Sequence, residues 1–199
     1  MFMERLKVSR ELPKTASPSL ELFKAEFDRL VPLEEAILCI HPSSEVSGTV
    51  RSALVAARDF AKADIRVNDS RLIAVPLATL VRLAVSWAED GLETDLIEAR
   101  LKELIPRCRV YFLVATLEYL ARRGRIGGAS ALLGGKLQIR PILILQDGRV
   151  QAAGATDQAV DLAAALGARL GVDNIPLYNL PPAIVMHGGP GVIGVRYFI

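Results

Sequence analysis

Leu20, Phe23, Phe27 and Leu30 recur at three- and four-residue steps, the spacing that lines one face of a helix, with Ser19 placed to cap its start and Pro32 to close it. The next apolar positions change period. Residues 36–40 form a short continuous apolar run, the pattern of a strand buried on both faces in a parallel sheet. Val50, Ala53, Leu54, Ala57 and Phe60 return to a helical face, and Ile65 to Val67 reads as a second strand ending at Asn68-Asp69-Ser70. Residues 72–88 are helical in composition, with Pro76 falling in the first turn and Glu89-Asp90-Gly91 stopping the helix. Leu92, Leu96, Ile97, Leu101, Leu104 and Ile105 describe one face of a further helix that ends at Pro106. The order helix, strand, helix, strand, helix, helix predicts an α/β layer arrangement.

Beyond this point the strand signals dominate. Residues 110–115 predict a strand, and Thr116 opens a short helix carrying Leu117, Tyr119 and Leu120, with a second short helix over 129–133. Two strand-like runs, 139–145 and from Val150 onward, flank Asp147-Gly148 and predict a hairpin. Pro141 within the first run marks it as an edge strand or a bulge. An Ala/Leu-rich helix is expected over 159–170 and a weak strand over 172–177. Residues 183–186 then predict a strand that delivers His187 into a loop, before a last strand over 192–198. Residues 1–18 carry turn residues without a period. The expected division is a first α/β domain over 1–108 and a second over 109–199.

Composition narrows the class. Half of the 199 residues are apolar, enough for one large or two small cores. The 24 basic and 22 acidic residues are well mixed at a net charge of +2, so no patch predicts nucleic acid or an anionic membrane. Arg122, Arg123 and Arg125 form the one tight basic cluster. Cys39 and Cys108 sit in apolar surroundings at a spacing that suits neither a disulfide framework nor a metal site, which points to buried thiols in a reducing cytosol. The N-terminus lacks the apolar core of a signal peptide, and no apolar stretch is long enough to span a bilayer. A cytoplasmic location without stable membrane insertion is expected.

Three loops carry candidate chemistry. The first, 43–49, follows a predicted parallel strand and opens a helix, a place where unpaired N–H groups and the positive dipole end receive anions. Ser43, Ser44, Ser47 and Thr49 add hydroxyls to it, although serine and threonine are also ordinary cap residues. The second, around Gly124-Arg125, offers planar guanidinium groups for a carboxylate or phosphate, or else solvated cations at a helix end. The third is His187-Gly188-Gly189-Pro190-Gly191, whose glycines permit close approach of backbone to a ligand; alone it is equally a tight turn.

Taken together the loops resemble a known family. The order Leu-Pro-x-Thr-x-x-Pro-Ser over 12–19, Ser-Ser-x-Val-Ser-Gly-Thr over 43–49, Asp69-Ser70, Tyr111-Phe112 with 117–120 and Gly124-Arg125-Ile126, Asp147-Gly148, and His187-x-Gly189-Pro190-Gly191 is similar to the DegV family across nearly the whole chain. The resemblance implies a two-domain α/β fold. Its first domain has a parallel sheet with helices on both faces, its second a mixed sheet with helices, and one long-chain fatty acid lies in a tunnel between them. Carried over residue by residue, it implies a carboxylate held by Thr15, by Ser43 or Ser44, and by His187. Ser47, Gly48 and Gly189 complete the ligand contacts, and Arg125 faces a separate fatty acid kinase that phosphorylates the acid.

The resemblance further implies no cofactor, no metal and no catalysis by this chain itself. It also implies departures: the chain begins just before the Thr15 motif, without the family's first strand and Asp-Ser loop, and is shortened internally. The family's Thr-Thr-Ser-Gln-Pro is replaced by Lys14-Thr15-Ala16-Ser17-Pro18. Two other readings compete. One is a degenerate member acting as an interaction protein without lipid. The other is a hydrolase using a serine of the 43–49 loop with His187 as base, for which the Gly-x-Ser-x-Gly elbow is missing.

Overall fold

The computed structural model describes residues 14–33, 35–132, 140–156, 171 and 179–198. The helix expected over 159–170, the strand over 172–177 and most of residues 1–18 lie outside the described residues. The chain divides into two compact units. One comprises Met1–Leu12, Tyr111–Ile144 and Val150–Val195; the other comprises Pro13–Val110, Leu145–Arg149 and Arg196–Ile199.

The unit built mainly from Pro13–Val110 opens on α1 (Leu20–Leu30), where Phe27 is almost fully buried and packs edge-on against Phe60 at 5.6 Å between ring centroids. Ser19 precedes α1 in an extended conformation without a side-chain cap bond, and Val31 N–H still donates to the Phe27 carbonyl before Pro32 ends the helix. Strand β1 (Ala36–His41) pairs in parallel with β2 (Asp64–Asp69), from Ala36↔Asp64 to His41↔Asp69. The crossover is α2 (Thr49–Ala57) with a following tight turn, Arg58–Phe60. Ala53 and Ala56 of α2 are completely buried, so α1 approaches it closely. Helices α3 (Ala74–Glu89) and α4 (Thr94–Leu104) pack on β1 and on each other through Leu80, Ala84, Ile97 and Leu101.

Gly91 at φ 80° lets Leu92 N–H reach back to the Trp87 carbonyl and closes α3 where the Glu89-Asp90-Gly91 signal placed its end. One expectation changes: β1 is half-buried along its length instead of buried on both faces. Among the described residues its sheet has two strands, so neighbours cover it incompletely.

The second sheet has four strands in the order β5-β4-β3-β6, comprising β3 (Cys108–Leu113), β4 (Arg140–Gln146), β5 (Arg149–Thr156) and β6 (Ile193–Phe198). Strands β3 and β4 are antiparallel with Phe112 opposite Leu143, a residue with no exposure. The β4–β5 connection is the expected two-residue turn, Asp147 and Gly148 both having positive φ (50° and 79°), as the right-handed twist of a hairpin requires. Pro141 does not lie on an edge, since β4 is an inner strand. It stands one residue beyond Ile142, the last partner of Leu113 on β3, so its missing N–H removes no bond from that ladder.

Helix α5 (Glu118–Arg122) and a 3-10 turn (Gly127–Leu132) follow β3, the latter replacing the short helix expected over 129–133. Residues 183–186 are not a strand. They belong to α6 (Pro182–Gly188), which starts after Pro181 with Pro182 in its first position. A four-residue apolar run fits either period, and two prolines pre-set for a helix start decide it.

Candidate functional site

The loop after β1 is held in shape by hydrogen bonds from its polar groups to Leu72, Asp69 and Gly148. Ser43 is fully buried: its N–H donates to the Leu72 carbonyl at 2.9 Å, its hydroxyl donates to the Gly148 carbonyl at 2.8 Å and accepts the Glu45 N–H at 3.2 Å. Ser44 is exposed, and both its N–H (3.2 Å) and its hydroxyl (2.6 Å) donate to the Asp69 carboxylate. The same carboxylate accepts the Arg71 N–H at 2.9 Å, so Asp69 at the end of β2 organises both neighbouring loops. Two adjacent serines of the same type therefore have opposite environments.

Further along, the Ser47 and Thr49 hydroxyls share a hydrogen bond of 2.8 Å, and Ser47 Oγ accepts the Thr49 N–H. Gly48 caps α2, whose first turn has no acidic residue and no side-chain cap bond. A side chain at Gly48 would come within 2.9 Å of Ser17 Oγ, which places Ser17 against this loop. Thr15 is exposed. Hydroxyls beside a helix start can hold a carboxylate without the tight ion pair a cation would make.

The second cluster lies in the other unit. His187 occupies the last turn of α6, where Val185 and Met186 are buried against Tyr119, Leu180 and Val192. Gly189 follows at φ 81° with the Tyr119 ring directly over it, a Cβ there lying 2.6 Å from the ring. The fold brings His187 together with Arg125 and Arg123, although they are far apart in sequence. Burial first, then the Arg125 and Arg123 charges, push the imidazole below its usual pKa, so it stands neutral at pH 7. Arg125 itself is exposed and its guanidinium donates to the Arg123 carbonyl at 2.6 Å. A neutral imidazole beside two cations is suited to an arriving anion, which would restore its proton affinity.

His41, at the end of β1, is also held below its usual pKa by burial, with its ring edge-to-face with Phe23 at 5.4 Å. For both histidines the unfolded chain takes up protons first as pH falls. Their contribution is therefore a loss of stability that begins near the unfolded pKa, about 6.5, and deepens until the folded groups titrate. The melting temperature is expected to fall between pH 7 and pH 5, with a shallower slope in His41→Gln and His187→Gln. Identical slopes in wild type and both variants would contradict this.

Among the expected contacts, Thr15, Ser43, Ser44, Ser47 and Gly48 belong to one unit, and Arg125, His187 and Gly189 to the other. The organising role of Asp69 and the ring of Tyr119 were not legible from spacing; the Asp69-Ser70 pair after a strand was the available signal. Among the described residues no group of histidine, cysteine and acidic side chains could hold a metal ion, and no helix is long and apolar enough to cross a membrane.

These features define a mixed α/β protein with polar loops after its strands and helices. A family model described as "Uncharacterised protein, DegV family" matches residues 1–155. The chain belongs to the DegV family. A DegV domain-containing protein of Deinococcus radiodurans is 35% identical over 153 residues, which are 77% of this chain and 54% of that protein. One from Clostridium acetobutylicum is 29% identical over 237 aligned positions, covering all of this chain and 82% of its own length.

The fold agrees with solved structures. A Thermus thermophilus DegV family protein, described by its fatty acid binding, superposes with a TM-score of 0.87 at 29% identity, covering 100% of this chain and 83% of its own. Bacillus subtilis DegV, described as a fatty acid binding protein, gives 0.84 at 24% identity, covering 100% and 83%.

Proposed function

We propose that this protein binds a long-chain fatty acid. The observation that carries the reading is the likeness, over the whole chain, to the Thermus protein described by its fatty acid binding. The polar loops supply what a carboxylate head group needs. In this reading the candidate head-group contacts are Thr15, Ser44, Ser47 and the Gly48 backbone, with His187 and the Gly189 backbone. Of the two adjacent serines, Ser44 is assigned as the ligand contact on exposure alone, since Ser43 is fully buried and both hydroxyl protons are already donated, that of Ser43 to Gly148 and that of Ser44 to Asp69. Tail burial drives binding at about 0.8 kcal/mol per methylene, and the head group sets orientation.

The chain does not itself activate the acid. It presents the carboxylate to a separate fatty acid kinase, with Arg125 facing that partner and no cofactor of its own. The work is cytoplasmic, which suits two unpaired thiols of low reactivity; burial pushes Cys39 up to about 11 and Cys108 upward as well.

Organic extraction of the purified protein followed by mass spectrometry is expected to release an acyl chain, and the stripped protein is expected to rebind palmitate or oleate. Thr15→Ala and His187→Ala should each weaken rebinding by roughly tenfold, the loss of one hydrogen bond to a charged group. Arg125→Ala should leave rebinding intact and slow acyl phosphate formation by an added kinase and ATP. No extracted lipid together with no rebinding would favour the lipid-free interaction protein instead.

A further inference from the structure

The hydroxyl loop is tied to a piece of chain more than a hundred residues away. Ser43 Oγ, completely buried, donates to the carbonyl of Gly148 at the tip of the β4–β5 hairpin. One residue on, Arg149 Nε donates to Glu45 Oε2 at 2.6 Å, and Arg71 reaches the other oxygen of Glu45 at 3.6 Å. Gly148 cannot be replaced without conflict: φ is 79°, and a Cβ would fall on Ser43 Oγ and within 3.3 Å of Arg71 Nε and Glu45 Cγ. Arg71 itself is held at φ 55° while its N–H bonds Asp69, the carboxylate that fixes Ser44. The hairpin tip, Leu145–Arg149, accordingly groups with the unit that contains the hydroxyl loop.

We propose that Ser43 is a positioning residue: clasped to Gly148, it holds the 44–49 loop in the conformation that presents Ser44, Ser47 and the start of α2 to a ligand. Buried donors and acceptors that lose their partner leave it uncompensated, so the clasp is specific to a hydroxyl at 43 and to the bare backbone at 148. The Glu45–Arg149 pair, with Arg149 63% exposed, adds registry more than stability. The proposal rests on the fatty acid reading for its ligand and on the clasp geometry for everything else.

Two measurements test it. Hydrogen exchange of the full chain without ligand is expected to speed up over 44–49 and over 147–149 together in Ser43→Ala, in Gly148→Ala, and to a lesser degree in Arg149→Ala. Palmitate dissociation constants are expected to rise by about tenfold in Ser43→Ala and in Gly148→Ala, with no further rise in the double variant, since both remove one device. Leu80→Ala, which destabilises the same unit from its core, should leave the dissociation constant unchanged. Unchanged exchange over 44–49 in Ser43→Ala, or additive losses in the double variant, would overturn the clasp; so would palmitate binding that follows stability alone, with Leu80→Ala weakened equally. A wild type that binds no palmitate overturns the fatty acid reading, and the clasp is then decided by the exchange result alone.

Discussion

Gly189→Ala is expected to destabilise the protein by about 2–6 kcal/mol and to abolish the contribution to ligand binding proposed for His187. The backbone at 189 sits at φ 81° and ψ 172°, a region essentially confined to glycine, where an L side chain costs about 1–3 kcal/mol. The new methyl would in addition meet the Tyr119 ring at 2.6 Å, and overpacking of this kind costs about 1–3 kcal/mol. Neither strain can be relieved locally. Tyr119 is packed against Val185 and Met186 of α6, so moving the ring moves the helix that carries His187. Thermal unfolding of Gly189→Ala beside Gly191→Ala provides the check, because Gly191 shares the positive φ but has nothing near its Cβ. A loss no greater at 189 than at 191 would remove the Tyr119 contact from the explanation.

Leu80→Ala is expected to cost about 2–5 kcal/mol through lost burial and the cavity left behind. Leu80 on α3 is completely buried, whereas Val85, five residues on, is half exposed. Val85→Ala should therefore stay within about 0.5 kcal/mol of wild type. Urea unfolding of both variants separates them; equal midpoints would mean that Leu80 is not a packing centre of this unit. The same contrast bears on the proposed function, since a loop held by polar contacts should survive a weakened core below the melting transition.

The helices over 20–30, 74–89 and 94–104 were readable because each spans three or more turns with apolar residues at consistent steps and a Pro or Gly at an end. Strands β1 and β2 followed from short apolar runs between polar loops, and the β4–β5 hairpin from Asp147-Gly148. Residues 183–186 misled for lack of length. Four apolar residues carry no period, and the helix they form is selected by Pro181 and Pro182 before it and by packing on Tyr119 and Val192 around it. Pro141 misled for a different reason: proline is excluded from a ladder only where its N–H would be used, and that depends on the register of a strand some thirty residues earlier in the chain.

The candidate site divides along the same line. By itself the chain determined which residue types stand in each loop, where the strands and helices deliver those loops, and through its motifs which family it resembles. Only the tertiary structure decided which of two adjacent serines is a fastener and which is exposed, because the partner that consumes the Ser43 proton, Gly148, arrives from a distant hairpin. It likewise decided that His187 is held below its ordinary pKa, because burial and the charges of Arg125 and Arg123 come from packing that no local spacing encodes. Hydrogen bonding and electrostatics depend on through-space distance, whereas periodicity records only which side of an element faces inward.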